Sequence, residues 1–212
     1  MTTELLECIK SLKVEYPAIT DSEAKKVAEL RSERTKQVNL FEGYKKTHQC
    51  EFFRPWKWQR RALEQIPGCN ILIIPAPNKI GKTVLLVNLA NAIALGYCPW
   101  TKSKDERPGY VKINGEWYAP SPLDKKPPVR IRITGEDWIS HIGATIAYEF
   151  ERWAIAGSYQ PRKQNDGVAC MYTYPPPYDS TIQLMTYGSA IDVYESWTGD
   201  LWIPDEPPPY PI

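Results

Sequence analysis

The sequence predicts an α/β fold in which a parallel sheet is flanked by helices, with a helical arm ahead of it. The first observation is an apolar run at 71–74 that leads through a short loop into a second apolar segment, of helical length, beginning near Lys82. The second is that later strand-like segments, near 129–134, 180–186 and 200–203, are separated by stretches long enough for helices. Such alternation is typical of parallel sheets, because parallel strands need long crossover connections.

Length and composition indicate one domain, or one domain with an appended arm. The 212 residues can bury a core, and the formal net charge of +1 excludes a chain that coats nucleic acid through bulk charge. Five widely spaced cysteines without a Cys-x-x-Cys pair predict neither a disulfide framework nor a zinc module. Because no signal peptide or membrane-length apolar run is present, we expect a soluble cytoplasmic protein without a membrane partner.

Residues 1–50 are predicted to form the helical arm. Leucine and isoleucine recur at helical spacing before Tyr16-Pro17, and Asp21 offers an N-cap for a charged helix that reaches about Tyr44. Acids and bases alternate along this helix. A solvated arm is therefore favoured over an arm that grips DNA.

The sheet domain is assigned to 51–212. It begins with a strand at Cys69–Ile74, a loop to Gly81 and a helix from Lys82 to about Leu95, which Gly96 ends. Residues 101–128 are rich in Lys, Pro and Gly and resemble an insertion. Within the insertion, 110–118 reads as a small hairpin, because Asn114-Gly115 suits a type I′ turn.

The second half of this domain supplies the remaining strands. Val129–Thr134 alternates apolar and polar residues, as expected for a strand with one face in water. Glu136-Asp137 then begins a helix with an apolar stripe that should pack on the sheet: Ile139, Ile142, Ile146, Phe150 and Trp153. Ser180–Thr186 and Asp200–Ile203 are the last strand candidates.

The loop before Lys82 carries the strongest chemical signal. A buried strand, a tight loop and a helix N-terminus form a phosphate cradle, in which backbone N–H groups and the helix dipole face the anion. Lys82 adds a mobile charge and Thr83 can ligate Mg²⁺, whereas Ala76 stands where the usual pattern has Gly. The alternative is a strand-to-helix turn with a chance Gly-Lys-Thr. The predicted nucleoside-triphosphate site comprises Ala76, Pro77, Asn78, Lys79, Ile80, Gly81, Lys82 and Thr83.

A second signal is the apolar segment Leu201-Trp-Ile-Pro that ends in Asp205-Glu206. Beside a phosphate loop, Asp205 would hold the Mg²⁺ shell and Glu206 would orient and deprotonate the attacking water. Lys82 and Glu206 are thus predicted to be catalytic, and Lys79 is a third candidate. Without the loop, a solvated acidic turn would be the better interpretation.

Two further residues have two open interpretations each. Gln59, in Arg54-Pro-Trp-Lys-Trp-Gln-Arg-Arg61, could read an adenine edge, or could simply open an amphipathic helix with core tryptophans. The cations around it could also meet a phosphate backbone. Lys79 could place a catalytic charge on the γ-phosphate, or could be a solvated loop lysine.

These residues together resemble the N-terminal ATPase half of the large terminase subunit of tailed phages, the motor that drives DNA into a procapsid. The similarity covers roughly 52–209. It is carried by the lead-in to Gln59, the Asn78–Thr83 loop, Gly96-Tyr-Cys-Pro-Trp100, Tyr187-Gly-Ser, Gly199-Asp-Leu-Trp and Asp205-Glu-Pro-Pro-Pro209.

The resemblance implies a P-loop NTPase fold that hydrolyses ATP with Mg²⁺. Its implied partners are double-stranded DNA, bound through parts outside this chain, a portal protein and a small terminase subunit. It further implies a homo-oligomeric ring in the host-cell cytoplasm. Members commonly carry Arg where Lys79 stands, and they continue past the second acid into a coupling motif and a nuclease domain. We therefore expect a fragment or one piece of a split motor, without nuclease activity.

Three rivals stay open from the residues alone. A helicase-like or other nucleic-acid-stimulated ATPase would share both motifs, and a non-catalytic module would bind nucleotide without turnover. Pro175-Pro-Pro-Tyr178 and Pro207-Pro-Pro-Tyr210 also fit the short ligands of aromatic-grooved domains, or plain loop proline.

Overall fold

The structure is a computed structural model that describes most of the chain and separates into two compact units, 1–46 and 47–212. The described residues are 3–68, 71–74, 79–123, 125–164, 166–189 and 195–206. Among them, no helix combines the length and the apolar character that a membrane crossing requires.

Helices make up the first unit, as predicted. Helix α1 spans Thr3–Glu15 and α2 spans Asp21–Thr47, whose last residue falls in the second unit. The cap of α2 lies one residue before the predicted Asp21. The Glu23 backbone N–H donates to Thr20 Oγ1, and Thr20 donates from its own N–H and hydroxyl to the Glu23 carboxylate. This reciprocal capping box satisfies donors that the first helical turn leaves open.

A five-stranded sheet forms the centre of the second unit, in the order β4-β5-β6-β3-β7. Its strands are β3 (Arg130–Gly135), β4 (Gln160–Lys163), β5 (Ala169–Thr173), β6 (Thr181–Thr186) and β7 (Leu201–Pro204). Strand β3 pairs in parallel with both β6 and β7. However, β5 is antiparallel to β6 and β4 is antiparallel to β5, so the sheet is mixed and the predicted parallel order holds only for β6, β3 and β7.

The helices that accompany the sheet are α3 (Lys57–Gln65), α4 (Lys82–Leu95), a π-helix (Trp138–Ala147) and α5 (Tyr148–Trp153). Short 3₁₀ turns occupy Gln49–Phe52 and Ile66–Gly68. Helix α4 has the predicted bounds and ends at Gly96, whose φ of 76° is left-handed. Its side chains join those of β3, β6 and the π-helix in one apolar core. The fold is therefore mixed α/β, with helices packed on the sheet.

The hairpin in the insertion is confirmed. Strands β1 (Val111–Ile113) and β2 (Glu116–Tyr118) pair antiparallel across Asn114-Gly115. Both turn residues have positive φ, 50° and 87°, as a type I′ turn requires.

The strand predicted at Cys69–Ile74 is not found. Cys69 and Asn70 lie outside the described residues, and 71–74 has no regular secondary structure. Ile71 and Ile73 are 81% and 80% exposed. An apolar run does not specify a neighbouring strand, and without backbone partners no strand forms. Conversely, β4 and β5 were not predicted from the sequence. Strand β4 is polar and exposed along its length, without apolar alternation.

Two side-chain placements also differ from the prediction. Arg132 and Thr134, on the expected wet face of β3, are 2% and 0% exposed. The Arg132 guanidinium donates to Gln183 Oε1 and lies 4.4 Å from the Trp197 ring centroid, and the Trp202 indole donates to Thr134 Oγ1. Polar partners and tryptophans thus cover that face.

The apolar stripe after β3 is only partly buried. Ile142, Ile146 and Phe150 are buried, but Ile139 is 80% exposed. The helix is of the π type, whose i→i+5 bonds put more residues in each turn than an α-helix has. The α-helical spacing that assigned Ile139 to the buried stripe therefore does not apply here.

Candidate functional site

The carboxyl ends of the three parallel strands meet at one edge of the sheet. The ladder continues past them, since Asp205 N–H donates to Thr134 O at 3.0 Å and Tyr187 N–H donates to Gly135 O at 3.1 Å. Ligand sites in open α/β sheets lie outside the carboxyl ends of the strands. The side chains that follow β3, β6 and β7 are thus gathered where such a site is expected.

The structure brings together the two predicted metal ligands. Thr83 Oγ1 donates to Asp205 Oδ2 at 3.0 Å, although 122 residues separate them in the chain. Thr83 is the second residue of α4, and Asp205 directly follows β7. The N-terminus of α4 therefore lies against the acidic end of this strand, as the two motifs require.

The Asp205 carboxylate is deeply buried and only half satisfied. Its side chain is 4% exposed, and Oδ2 contacts both Thr83 Oγ1 and His141 Nε2, each at 3.0 Å. Oδ1 is buried with no hydrogen-bond partner among the described residues. A buried carboxylate oxygen without a partner is costly unless a cation or a donor meets it. This oxygen is the structural feature that fits a divalent cation.

His141, which was not predicted from the sequence, is placed beside Asp205 by the π-helix. Its side chain is 11% exposed, and Nδ1 accepts the Glu136 N–H at 3.0 Å. In the neutral ring Nε2 therefore carries the proton and donates to Asp205. In the sequence, His141 is marked only by its position shortly after the end of a predicted strand. That position does not reveal a contact with Asp205, 64 residues away.

The π-helix that carries His141 has a strong N-cap. The Asp137 carboxylate accepts from Ile139 N and Ser140 N, at 2.9 and 2.7 Å, and from the Ser140 hydroxyl. The Ser140 hydroxyl bond is the main reason that the pKa of Asp137 lies below its usual value. This cap fixes the helix start relative to the end of β3.

Glu206, the predicted base, is exposed at the same edge. The Tyr187 hydroxyl donates to its backbone carbonyl, which ties the acidic turn to the segment after β6. Ligand atoms of Glu136, His141 and Glu206 lie within 4.8 Å of one another. The Glu206 carboxylate therefore lies near His141, whose ring contacts Asp205.

The predicted phosphate loop is described from Lys79 onward, and Ala76, Pro77 and Asn78 lie outside the described residues. Lys79 is exposed with a φ of 63°, and Gly81 caps α4 with a φ of 80°. Ile80 and Lys82 are partly exposed. The two left-handed residues turn the chain sharply into α4, whose first N–H groups have no carbonyl partner within the helix and suit an anion.

The side chain of Gln59 holds this turn by a hydrogen bond to the Gly81 carbonyl. It is 3% exposed, its Oε1 accepts the Trp56 N–H at 2.8 Å, and its Nε2 donates to Gly81 O at 2.9 Å. The side chain therefore caps α3 and holds the loop end at the same time.

Together these groups place a helix N-terminus, a half-satisfied buried carboxylate and an exposed carboxylate at one sheet edge. Comparison of this chain with protein-family models, with curated proteins and with solved structures gives no match.

Proposed function

We propose that this chain is the ATPase module of a viral DNA-packaging motor of the large-terminase type. The observation that carries the nucleotide-binding part is the 3.0 Å hydrogen bond from Thr83 Oγ1 to Asp205 Oδ2. It joins two sequence motifs whose pairing is the basis of Mg²⁺-dependent phosphoryl transfer in P-loop NTPases.

Phosphate binding rests on the start of α4. The turn through Lys79 and Gly81 leads into the first N–H groups of the helix, which have no carbonyl partner within the helix and where the helix dipole favours negative charge. Lys82, the first residue of the helix, adds a side-chain cation for the β- and γ-phosphates.

The residues present fit Mg²⁺, a hard cation that prefers oxygen ligands. Thr83 Oγ1 and the unpartnered Asp205 Oδ1 are the oxygens that would hold it, directly or through water. A bound Mg²⁺ neutralises charge on the transferring phosphoryl group. Binding would also satisfy Oδ1, which is otherwise buried at a cost.

Glu206 is the general base in this proposal. Its carboxylate orients a water molecule toward the γ-phosphate and accepts the proton that this water loses on attack. Tyr187 fixes the backbone of Glu206 through the hydroxyl bond to its carbonyl. Because the transition state needs mainly positioning and charge neutralisation, Lys82, a metal held by Asp205, and this base suffice.

The assignment to DNA packaging rests on the terminase-like segments of the sequence. In this proposal the module works in the host-cell cytoplasm as part of a homo-oligomeric ring, with double-stranded DNA, a portal protein and a small terminase subunit as partners. DNA contacts would come chiefly from other parts of the motor, since the net charge of this chain is only +1.

Two lysine variants test nucleotide binding. Lys82→Ala should abolish binding of a fluorescent ATP analogue in the presence of Mg²⁺, because it removes the phosphate cation at the helix start. Lys79→Ala changes the other lysine of the same turn. It should weaken binding far less than Lys82→Ala, because Lys79 is exposed and lies before the helix start, and it should slow hydrolysis only if Lys79 also supplies a catalytic charge. Equal binding by the Lys82→Ala variant and the unmodified chain would contradict the proposal.

Glu206→Gln tests hydrolysis. The amide cannot accept the proton, so we expect normal nucleotide binding and a loss of steady-state phosphate release by roughly 100-fold or more. Unaltered turnover in this variant would refute the role of Glu206. Binding without turnover in the unmodified chain, alone and with DNA, would instead indicate a nucleotide-binding module that does not hydrolyse.

A further inference from the structure

The His141 ring is packed tightly between the residues that follow β3 and the acid that follows β7. Its Nδ1 accepts the backbone N–H of Glu136 at 3.0 Å, and its Nε2 lies 3.0 Å from Asp205 Oδ2. A Cβ placed on Gly135 would lie 3.3 Å from the His141 ring, so the ring packs directly on the backbone at the end of β3. The imidazole thus spans the gap between β3 and the acid after β7.

The backbone bond decides which ring nitrogen carries the proton. A backbone N–H can only donate, so the Nδ1 that faces it must accept. Nε2 therefore bears the hydrogen of the neutral ring and donates to Asp205. The direction of both hydrogen bonds follows from geometry alone.

This arrangement gives the two oxygens of Asp205 different tasks. Oδ2 faces two donors, the Thr83 hydroxyl and His141 Nε2. Oδ1 is buried and has no partner among the described residues. A carboxylate held at one oxygen by donors from two different elements cannot rotate freely, so the same oxygen stays free.

We propose that His141 is a positioning residue that fixes the Asp205 carboxylate and leaves Oδ1 for the divalent cation. The inference rests on the proposed function, since it assigns how that site prepares its metal ligand. It adds a residue that neither motif contains. Outer partners of metal ligands orient them, and their loss commonly costs roughly 10- to 100-fold in metal affinity.

The test uses Mn²⁺, a paramagnetic substitute for Mg²⁺. Electron paramagnetic resonance measures the binding of Mn²⁺ to the full chain in the presence of ADP. His141→Ala should raise the Mn²⁺ concentration for half-saturation by roughly 10- to 100-fold. His141→Gln should restore most of the affinity, because its amide offers an acceptor for Glu136 N–H and a donor for Asp205. ADP binding in EDTA should be the same in both variants. A merely structural role would not produce this separation.

Ile139→Ala is the control for disturbing the π-helix, because Ile139 lies on the same helix and is 80% exposed. It should leave Mn²⁺ binding unchanged. Circular dichroism and thermal melts show that each variant is folded before its binding is compared.

Two results would overturn the inference while leaving the proposed function intact. The first is His141→Ala binding Mn²⁺–ADP as tightly as the unmodified chain. The second is that His141→Gln binds Mn²⁺–ADP as weakly as His141→Ala and that both variants also lose affinity for Zn²⁺. That result would make His141 itself a metal ligand, together with Glu136 and Glu206. If the unmodified chain binds neither ADP in EDTA nor Mn²⁺–ADP, the proposed function fails first and the inference falls with it.

Discussion

At the scale of single residues, Gln59 shows how one side chain can serve two elements. Its amide accepts from Trp56 N–H at the start of α3 and donates to the Gly81 carbonyl at the end of the loop. Both bonds lie in a buried setting, where an unmade hydrogen bond is costly. From the sequence the residue could read adenine or open an amphipathic helix, and the structure places it in the first turn of α3 with a positioning task.

A pair of Gln59 variants separates these tasks. Gln59→Glu keeps the acceptor for Trp56 but loses the donor to Gly81, and Gln59→Ala loses both. If Gln59 only positions the loop, ATP and GTP affinities should fall by the same factor in each variant, by about 5- to 10-fold per lost bond of about 1 kcal/mol. A loss confined to ATP, measured by competition titration, would show instead that Gln59 reads the base.

Thiol reactivity provides a second test at this scale. Cys50 and Cys98 are buried, and burial raises the pKa of each thiol to about 12. Since the thiolate is the reactive form, both should resist N-ethylmaleimide at pH 7.5 and react only after unfolding. Cys8 and Cys170 are partly exposed and serve as internal controls. Peptide mass spectrometry would detect early labelling of Cys50 or Cys98, which would contradict their placement.

At the scale of elements, the end of α4 depends on a glycine for two reasons. Gly96 has a φ of 76°, and a Cβ there would lie 2.7 Å from Pro127 Cδ, which is closer than real contacts allow. Gly109 has a similar φ of 79° but nothing within 4 Å of a Cβ. A side chain would therefore strain the backbone at both positions, but it would clash with a neighbour only at Gly96.

Alanine variants at these glycines isolate the clash. Gly109→Ala should cost about 1–2 kcal/mol of unfolding free energy, because a side chain disfavours the left-handed region. Gly96→Ala should cost about 1–3 kcal/mol more, because Pro127 must move to admit the methyl group. Urea denaturation followed by circular dichroism gives both values. Equal losses would mean that the core around Pro127 accommodates the methyl group freely.

Strand β7 shows why a proline is tolerated near the acids. Among the described residues β7 pairs with β3 alone, so the missing N–H of Pro204 interrupts no second ladder. The next residue restores the pairing, since Asp205 N–H donates to Thr134 O. The backbone of Asp205 is therefore held in the sheet ladder despite the proline.

At the scale of the whole molecule, an ion pair at the opposite end of these strands links pH to global stability. The Asp200 carboxylate accepts from Lys125 and, at 2.8 Å, from Arg130 N–H. These bonds, the one from Lys125 first, lower the pKa of Asp200 below its usual value. A carboxyl group with a lowered folded-state pKa stabilises the fold above its unfolded pKa, and this contribution is lost as the pH falls through the folded value.

We therefore expect the melting temperature to fall below about pH 4, with Asp200 contributing part of the slope. Asp200→Asn should lower stability at pH 7, because the Lys125 pair is lost, and should flatten the acid limb. Glu106→Gln, which changes an exposed acid of the insertion, is the control and should leave the curve unchanged. Thermal melts between pH 3 and pH 7 measure the effect. An unchanged acid slope in Asp200→Asn would contradict it.

Local signals account for much of what was predictable. Helix α4, its glycine stop and the Asn114-Gly115 hairpin follow from chain-local rules of periodicity, capping and turn conformation, and all were predicted with nearly correct bounds. The pairing of Thr83 with Asp205 was expected from two motifs, because each motif carries its own chemistry. Strand β4, with its polar and exposed residues, could not be found this way, since only its partner β5 makes it a strand.

By itself, the sequence determined most of the helices and the hairpin turn, and it identified the candidate residues of the predicted phosphate loop and acidic turn, because these depend on neighbours within a few positions. The tertiary structure alone decided the mixed strand order, the burial of Arg132 and Thr134, and the contact of His141 with Asp205. These features depend on which distant segments pack together. Backbone pairing and packing between such segments leave no periodic signal in either segment by itself.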